Sequence, residues 1–497
     1  MISGNFLAYA IAAPLVMAFV VNLVGRARGY LVAPLALLSL GVSTLCSLLL
    51  LARVLREGPE SYTMGGWQPP WGIELVVDPL SGLMLVLVAA IALIATWSAG
   101  ASVRQEMEGR EHVFFTLYLI LVSGLLALTV TGDAFNLYVM LEITAITTYG
   151  LIAMGRERAA LASFNYIIMG TIGACFYLLG VGYLYILTGS LNMADIGRIL
   201  PELYGGAAVA TAFAFMLVGM WVKMAFFPLH GWLPNAYTYA PSGTSVLIAP
   251  LMTKVSVYLM IRIMFTIFSP EYTFFQHAGV QHLIVWASAL AIIVASSLAL
   301  AQTEFKKMLT YIIVAEVGYM VGGVWLANEP GMTGAVLHIV NDALMTLCLF
   351  LAASAVVFRQ GSCRFEDFRG LYRTMPLTMA AFTVGAFSMI GVPPTAGFFS
   401  KWYLILGGIE AGQWAYVAAL VFSSLVNAVL FFRIIEIAFF NGEDEHGHGH
   451  HGAPLRHEAP GALVQPLVLT AVALIVVGLA SGVLVDSIIR PALQWLQ

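Results

Sequence analysis

The stretch Phe227-Pro228-Leu229-His230-Gly231-Trp232-Leu233-Pro234 decides how this chain folds, because it interrupts an apolar run that would otherwise make one uniform helix. A proline lacks a backbone donor and frees the carbonyl four residues before it. In hydrocarbon such a break is tolerated only where protein or water satisfies the freed groups. A second interruption stands at Gly391-Val392-Pro393-Pro394 and resumes toward Phe398-Phe399-Ser400-Lys401. Around both, apolar runs of about 20 residues recur, each long enough to span a bilayer.

Composition agrees with that map. Of the 497 residues, 60% are hydrophobic and 10% charged, and the mean hydropathy is +0.91. A soluble domain carries about a quarter charged residues, so a water-facing surface cannot be covered here. The fold class is therefore an all-α polytopic membrane protein of about fourteen transmembrane helices. Spans are placed at about 5–25, 30–52, 77–99, 113–131, 134–154, 161–187, 206–228, 242–267, 280–302, 306–327, 332–358, 375–395, 413–440 and 463–488. The first run lacks a basic leader and a cleavage site, and reads as a span rather than a signal peptide. Gly58–Gly72 is expected to be a small extended lid, and Asn192–Leu203 an interfacial helix.

The broken seventh and twelfth helices lie five spans apart, as two inverted five-helix repeats would place them. This divides the chain into three N-terminal helices (1–112), a first repeat of helices 4–8 (113–268), a second repeat of helices 9–13 (276–440), and a His-rich loop with the last helix (441–497). Basic residues crowd the loops after odd-numbered spans, among them Arg26, Arg28, Arg104, Arg110, Arg156, Arg158, Arg359, Arg364, Arg369 and Arg373. The positive-inside rule then puts the N-terminus and C-terminus on the outer face of the plasma membrane. No basic tract points to nucleic acid. The four cysteines are scattered and read as small packing residues. His446, His448, His450, His451 and His457 lie among glycines that fix no ligand geometry, so the loop reads as solvated and no metal site is expected.

Among 22 basic residues only five are lysine: Lys223, Lys254, Lys306, Lys307 and Lys401. Lys223 precedes the first break, Lys254 is midway along the eighth span, and Lys401 follows the second break. Ordinary loop positions went to arginine. A guanidinium stays charged under nearly all conditions, whereas a buried ammonium can lose its proton near neutrality. Lysine inside and arginine outside is the division expected if the inside residues titrate, and intramembrane ionisable groups are costly and functional as a rule. Lys306 and Lys307 open the tenth span at the membrane edge, where snorkelling serves equally well, so they are weaker candidates. Glu142 lies about nine residues past Asp133, roughly 13 Å into its span at 1.5 Å per residue. Paired with Lys223 it could stay charged. Glu316, midway along the tenth span, is a weaker candidate on the same ground. His338 is a further titratable group, although a single buried histidine can simply pack.

The segment from Phe227 to Pro234 continues as Asn235-Ala236-Tyr237, Ala240-Pro241-Ser242 and Lys254, and the whole resembles the signature of the proton-conducting antiporter-like family. That family includes membrane subunits of respiratory complex I, the Mrp sodium/proton antiporters and membrane-bound energy-converting hydrogenases. Gly391 to Lys401 resembles its twelfth-helix signature, and Gln302 to Tyr311 its tenth-helix start. The likeness runs from about Asp78 to Phe440. It implies that Glu142 and Lys223 are a control pair, that Lys254, His338 and Lys401 continue a polar axis across the membrane plane, and that protons travel along it. The Asn235-Ala236-Tyr237 variant is most similar to the D-type member of the Mrp branch. The eleventh span departs from the pattern, with Asp342 and Thr346 where many relatives place a second histidine and a lysine. His338 is then expected to carry the central step in place of the missing lysine.

The expected function is that of a proton-translocating subunit of a multisubunit Mrp-type sodium/proton antiporter. The alternative is a proton-pumping membrane subunit of a complex I-like or hydrogenase-linked redox complex. Expected partners are the other membrane subunits of such an assembly, protons, sodium ions and the lipid bilayer. With no dinucleotide glycine fingerprint and no cysteine cluster, no cofactor and no catalytic site of its own are expected, and any redox chemistry would sit in partners.

Overall fold

In the computed structural model, residues 5–275, 278–440 and 457–496 are described. Among them, 12 helices are long and apolar enough to cross a membrane, and two shorter apolar helices, Ala207–Lys223 and Pro376–Ile390, stand where the sequence predicts the broken ones.

The chain opens with α1 (Phe6–Gly25), α2 (Val32–Glu57), α3 (Pro79–Glu106) and α4 (Glu111–Val130). Helix α3 starts sharply because Asp78 accepts from the Ser81 amide at 2.9 Å, the Asp78 amide donates to the Ser81 hydroxyl at 2.8 Å, and Pro79 supplies the first turn. Next come α5 (Ala134–Ala153), α6 (Ala159–Thr188), the short α7 (Met193–Ile199), α8 (Ala207–Lys223), α9 (Leu233–Tyr239) and α10 (Ser242–Arg262). The second half holds α11 (Ala278–Leu300), α12 (Phe305–Trp325), α13 (Glu329–Gln360), α14 (Leu371–Thr374), α15 (Pro376–Ile390), α16 (Ala396–Glu410) and α17 (Trp414–Phe440). Helices α18 (Gly461–Leu479), α19 (Ser481–Leu484) and α20 (Arg490–Leu496) finish it.

Two expectations at the periphery meet different outcomes. The Gly58–Gly72 lid is part of a β-hairpin, in which β1 (Glu60–Thr63) pairs antiparallel with β2 (Glu74–Val77), Glu60 opposite Val77 and Thr63 opposite Glu74. Leu75 and Val77 are buried while Glu74 and Val76 are less so, so β2 has one packed face. At Asn192–Leu203, where an interfacial helix is expected, a helix does form. Asn192 caps it by accepting from the Asp195 amide at 3.0 Å.

Helices α10, α12 and α13 are buried along almost their whole length and form the centre. The outer helices turn large apolar side chains away from the protein: Phe19 and Leu23 on α1, Ile186 on α6, Leu283 and Trp286 on α11, Leu425 and Val429 on α17. Exposed apolar side chains on so many helices make a lipid-facing belt rather than a single docking patch. Lys254 on α10, Glu316 on α12, and His338 and Asp342 on α13 are thus wholly buried in the middle of the protein.

Candidate functional site

The two breaks position the lysines. Helix α8 ends on Lys223, and Ala225 takes a left-handed φ of 59° as the chain turns. The carbonyl of Val222, near the end of the helix, accepts from the Trp232 indole at 3.1 Å. Lys223 itself reaches α5, where its Nζ lies 3.4 Å from Glu142 Oε1. The lysine side chain is 6% exposed and the glutamate 26%, so this pair opens at its acidic end. A cavity of about 10 Å³, room for roughly one water, adjoins Lys223 and is lined by Thr144, Tyr166 and Ser256.

Lys254, midway along α10, is wholly buried, and its Nζ lies 2.8 Å from Asp342 Oδ2 on α13, also wholly buried. The other carboxylate oxygen accepts from the Thr346 hydroxyl at 2.8 Å.

The second break is built differently. Helix α15 stops at Gly391, whose φ of 94° is open to glycine and strained for other residues. The carbonyls freed there are taken by the lysine beyond the break: Lys401 Nζ donates to Met389 O at 2.7 Å and to Ile390 O at 3.5 Å. It also lies 5.2 Å above the Tyr319 ring and 4.0 Å from Glu316 Oε1. The other oxygen of Glu316 makes a short contact with His338 Nε2, while His338 Nδ1 shares a hydrogen bond of 2.9 Å with Ser400 Oγ. Asn341 donates to Ala396 O at 2.7 Å and pins the start of α16 against α13.

The structure therefore brings Glu142 to Lys223, and Glu316 to both His338 and Lys401. It gives Lys254 a partner, Asp342, that does not stand among the sequence candidates. His338 is expected from the sequence to fill the place of the missing lysine at Thr346. Instead its ring turns to Glu316 and Ser400, and the group beside Thr346 is Asp342, one turn closer along α13. A signal for Asp342 is present in the sequence: it is a lone carboxylate in an apolar span, the same ground that singles out Glu142 and Glu316.

Lys306 and Lys307 stand apart from these groups. Lys306 lines an open cavity of about 350 Å³ with Glu106, Arg156, Glu157, Glu304 and Arg364, and Lys307 is half-buried beside it. Burial pushes the Glu304 carboxyl above its ordinary range, with the nearby Lys306 acting against that shift. The expectation for the histidine-rich loop falls outside the described residues for His446, His448, His450 and His451. His457 is described, and its amide donates to Thr374 O at 3.0 Å.

Residues 131–427, a segment holding every group in these pairs, match the family described as NADH:quinone oxidoreductase/Mrp antiporter, TM. The N-type subunit of an NADH-quinone oxidoreductase from Desulforudis audaxviator (strain MP104C) is 44% identical over 478 residues, spanning 94% of this chain and 93% of that protein. The D-type subunit of a Na(+)/H(+) antiporter from Alkalihalophilus pseudofirmus is 30% identical over 452 residues, spanning 90% of this chain and 88% of that one. A chain in the solved structure of the membrane-bound sulfane sulfur reductase, an archaeal respiratory membrane complex, aligns with a TM-score of 0.90 at 29% identity, covering 99% of this chain and 98% of that chain.

Proposed function

Because the chain belongs to the NADH:quinone oxidoreductase/Mrp antiporter transmembrane family, we propose that it is the proton-translocating subunit of a multisubunit membrane complex, carrying protons along its buried lysines. One observation supports this above the others. Three lysines on α8, α10 and α16 each lie within 4.0 Å of a carboxylate oxygen, inside helices that are otherwise apolar. A buried ammonium beside a carboxylate can exchange its proton at low cost, because charge is created or lost in pairs. Arginine could hold the same geometry but could not release the proton.

In this reading Glu142 and Lys223 control entry, Lys254 continues the path, and the group of Glu316, His338 and Lys401 delivers protons at the far side. The two broken helices belong to two inverted five-helix units, each supplying one half of the path. Arginine-rich loops face the cytoplasm and both termini face outward across the plasma membrane.

Two assemblies suit such a subunit. The 44% likeness to an NADH-quinone oxidoreductase subunit favours a redox-linked complex, in which partner subunits supply the driving reaction. The Mrp-type alternative, with proton entry driving sodium export through neighbouring subunits, is supported by the antiporter relative at 30%. Co-purification separates them. Dehydrogenase- or hydrogenase-like partners would support the redox-linked assembly, and small antiporter subunits alone would overturn it. The proton role is tested by Lys223→Ala and Glu142→Gln in sealed vesicles of the assembled complex. Each is expected to stop proton transport, as is Lys223→Arg. Near-normal flux in the Lys223→Ala and Glu142→Gln vesicles would refute the role.

A further inference from the structure

We propose that Asp342 is the central proton-carrying group of this row, taking its proton from Lys254 and standing between it and the cluster of Glu316, His338 and Lys401. The inference rests on the proton-translocating role argued above and adds a residue to it. Its first ground is enclosure. Lys254 and Asp342 are both wholly buried, and 2.8 Å separates Nζ from Oδ2. A buried ion pair is a poor source of stability, since removing two charges from water offsets most of their attraction. Two charges retained in the middle of apolar helices therefore point to use rather than packing.

The second ground is register. His338, Asp342 and Thr346 are spaced by four residues on α13, so they share one face, a turn apart. The carboxylate stands one turn from the histidine that contacts Glu316 and one turn from the threonine that binds its Oδ1 at 2.8 Å. Thr346 is a positioning residue. By occupying Oδ1 it turns Oδ2 toward Lys254, and it can keep donating to Oδ1 after Oδ2 has been protonated.

The step is balanced within the pair. An N–H bond of the Lys254 ammonium breaks and an O–H bond forms on Asp342 Oδ2. The ammonium becomes a neutral amine and the carboxylate a neutral acid, with no electrons exchanged. Both states have zero net charge, so the interior is spared an isolated ion in either. The amine can then accept a proton from the Lys223 side, and the acid can release one toward His338. The ionisable group in contact with Asp342 is Lys254 of α10; beyond it stand His338 on the same helix, Glu316 on α12 and Lys401 on α16.

The test compares Asp342→Asn with Lys223→Ala in sealed vesicles of the complete complex. Asparagine keeps the size of the side chain and an oxygen for Thr346, yet cannot take a proton. Transport is expected to fall roughly a hundredfold, the scale of losing a positioned proton donor or acceptor. If Asp342→Asn assembles and transports within about twofold of the parent, a change too small for a lost relay group, the proposal is overturned. Normal flux in Lys223→Ala would instead overturn the broader proton reading. Asp342→Glu carries the test if the asparagine variant does not assemble, because it keeps both the acid and the ion pair. A relay then requires a shifted pH profile of transport, and an unchanged profile overturns it. Infrared difference spectra recorded against pH add a readout independent of flux: a protonated-carboxyl band lost in Asp342→Asn supports the relay, and its persistence refutes it.

Discussion

The two broken helices solve one problem in opposite ways. At the first, the carbonyl of Val222 accepts from the neutral indole of Trp232 and from the Ala225 amide, and Lys223 is left to Glu142. At the second, Lys401 itself donates to the carbonyls of Met389 and Ile390, with Asn427 also donating to Met389 O at 3.3 Å, and the nearest carboxylate oxygen to Lys401 is 4.0 Å away. One lysine belongs to a side chain and the other to the backbone. The lesson is that equivalent-looking lysines can differ in what their removal breaks: an ion pair alone at Lys223, and hydrogen bonds to the carbonyls of the helix break as well at Lys401.

Substitution can break or sharpen that contrast. The largest effect is expected for Lys401→Met, which should abolish transport and also lower stability by about 1–3 kcal/mol, because the Ile390 carbonyl loses its side-chain donor and Met389 O keeps only the longer bond from Asn427 at 3.3 Å. Melting of the purified complex alongside vesicle flux would show it, and an unchanged melting temperature would mean that Asn427 alone is enough to hold the break. Lys223→Met should stop transport as completely while moving the melting temperature much less, since Trp232 still covers the break. Equal destabilisation by the two variants would erase the distinction. His338→Gln probes the second region without touching its backbone. Glutamine can still hydrogen-bond to Ser400 but holds no proton, so flux should drop roughly tenfold or more across about pH 6 to 9. Normal flux over that range would reduce His338 to a packing group. The smallest effect is expected for Trp232→Phe: a loss of about 1 kcal/mol, one hydrogen bond, with transport retained. Loss of flux there would show that the first break is not independent of its lysine.

Much of this is legible in the chain itself. Apolar runs of span length place the helices, and the prolines at 228, 234, 393 and 394 place both breaks. The rarity of lysine singles out Lys223, Lys254 and Lys401, and the resemblance joins Glu142 to the first of them. The hairpin is hidden because Gly65, Gly66, Pro69 and Pro70 dominate the connection and mask the short strands on either side. Asp342 escapes for another reason. Against the family pattern, position 342 reads as a histidine that is absent rather than as a carboxylate that is present, and its partner Lys254 lies on a different helix. Helical periodicity shows which residues share a face, but which face of α13 meets Lys254 of α10 is decided by packing. The contact of His338 with Glu316 is unreadable on the same account.

The row from Glu142 to Lys401 has an electrical property that no single contact displays. It contains three carboxylates, Glu142, Asp342 and Glu316, and three ammonium groups, Lys223, Lys254 and Lys401. With these ionised and His338 neutral, the row sums to zero and behaves as a string of dipoles embedded in an insulator. Such a string has little self-energy as a whole, whereas one added proton gives it a full unit of charge that oil-like surroundings cannot screen. If it carries protons as proposed, the row is thus a poor capacitor: it stores almost no excess charge, and admitting a proton at one end makes retention of another elsewhere unfavourable.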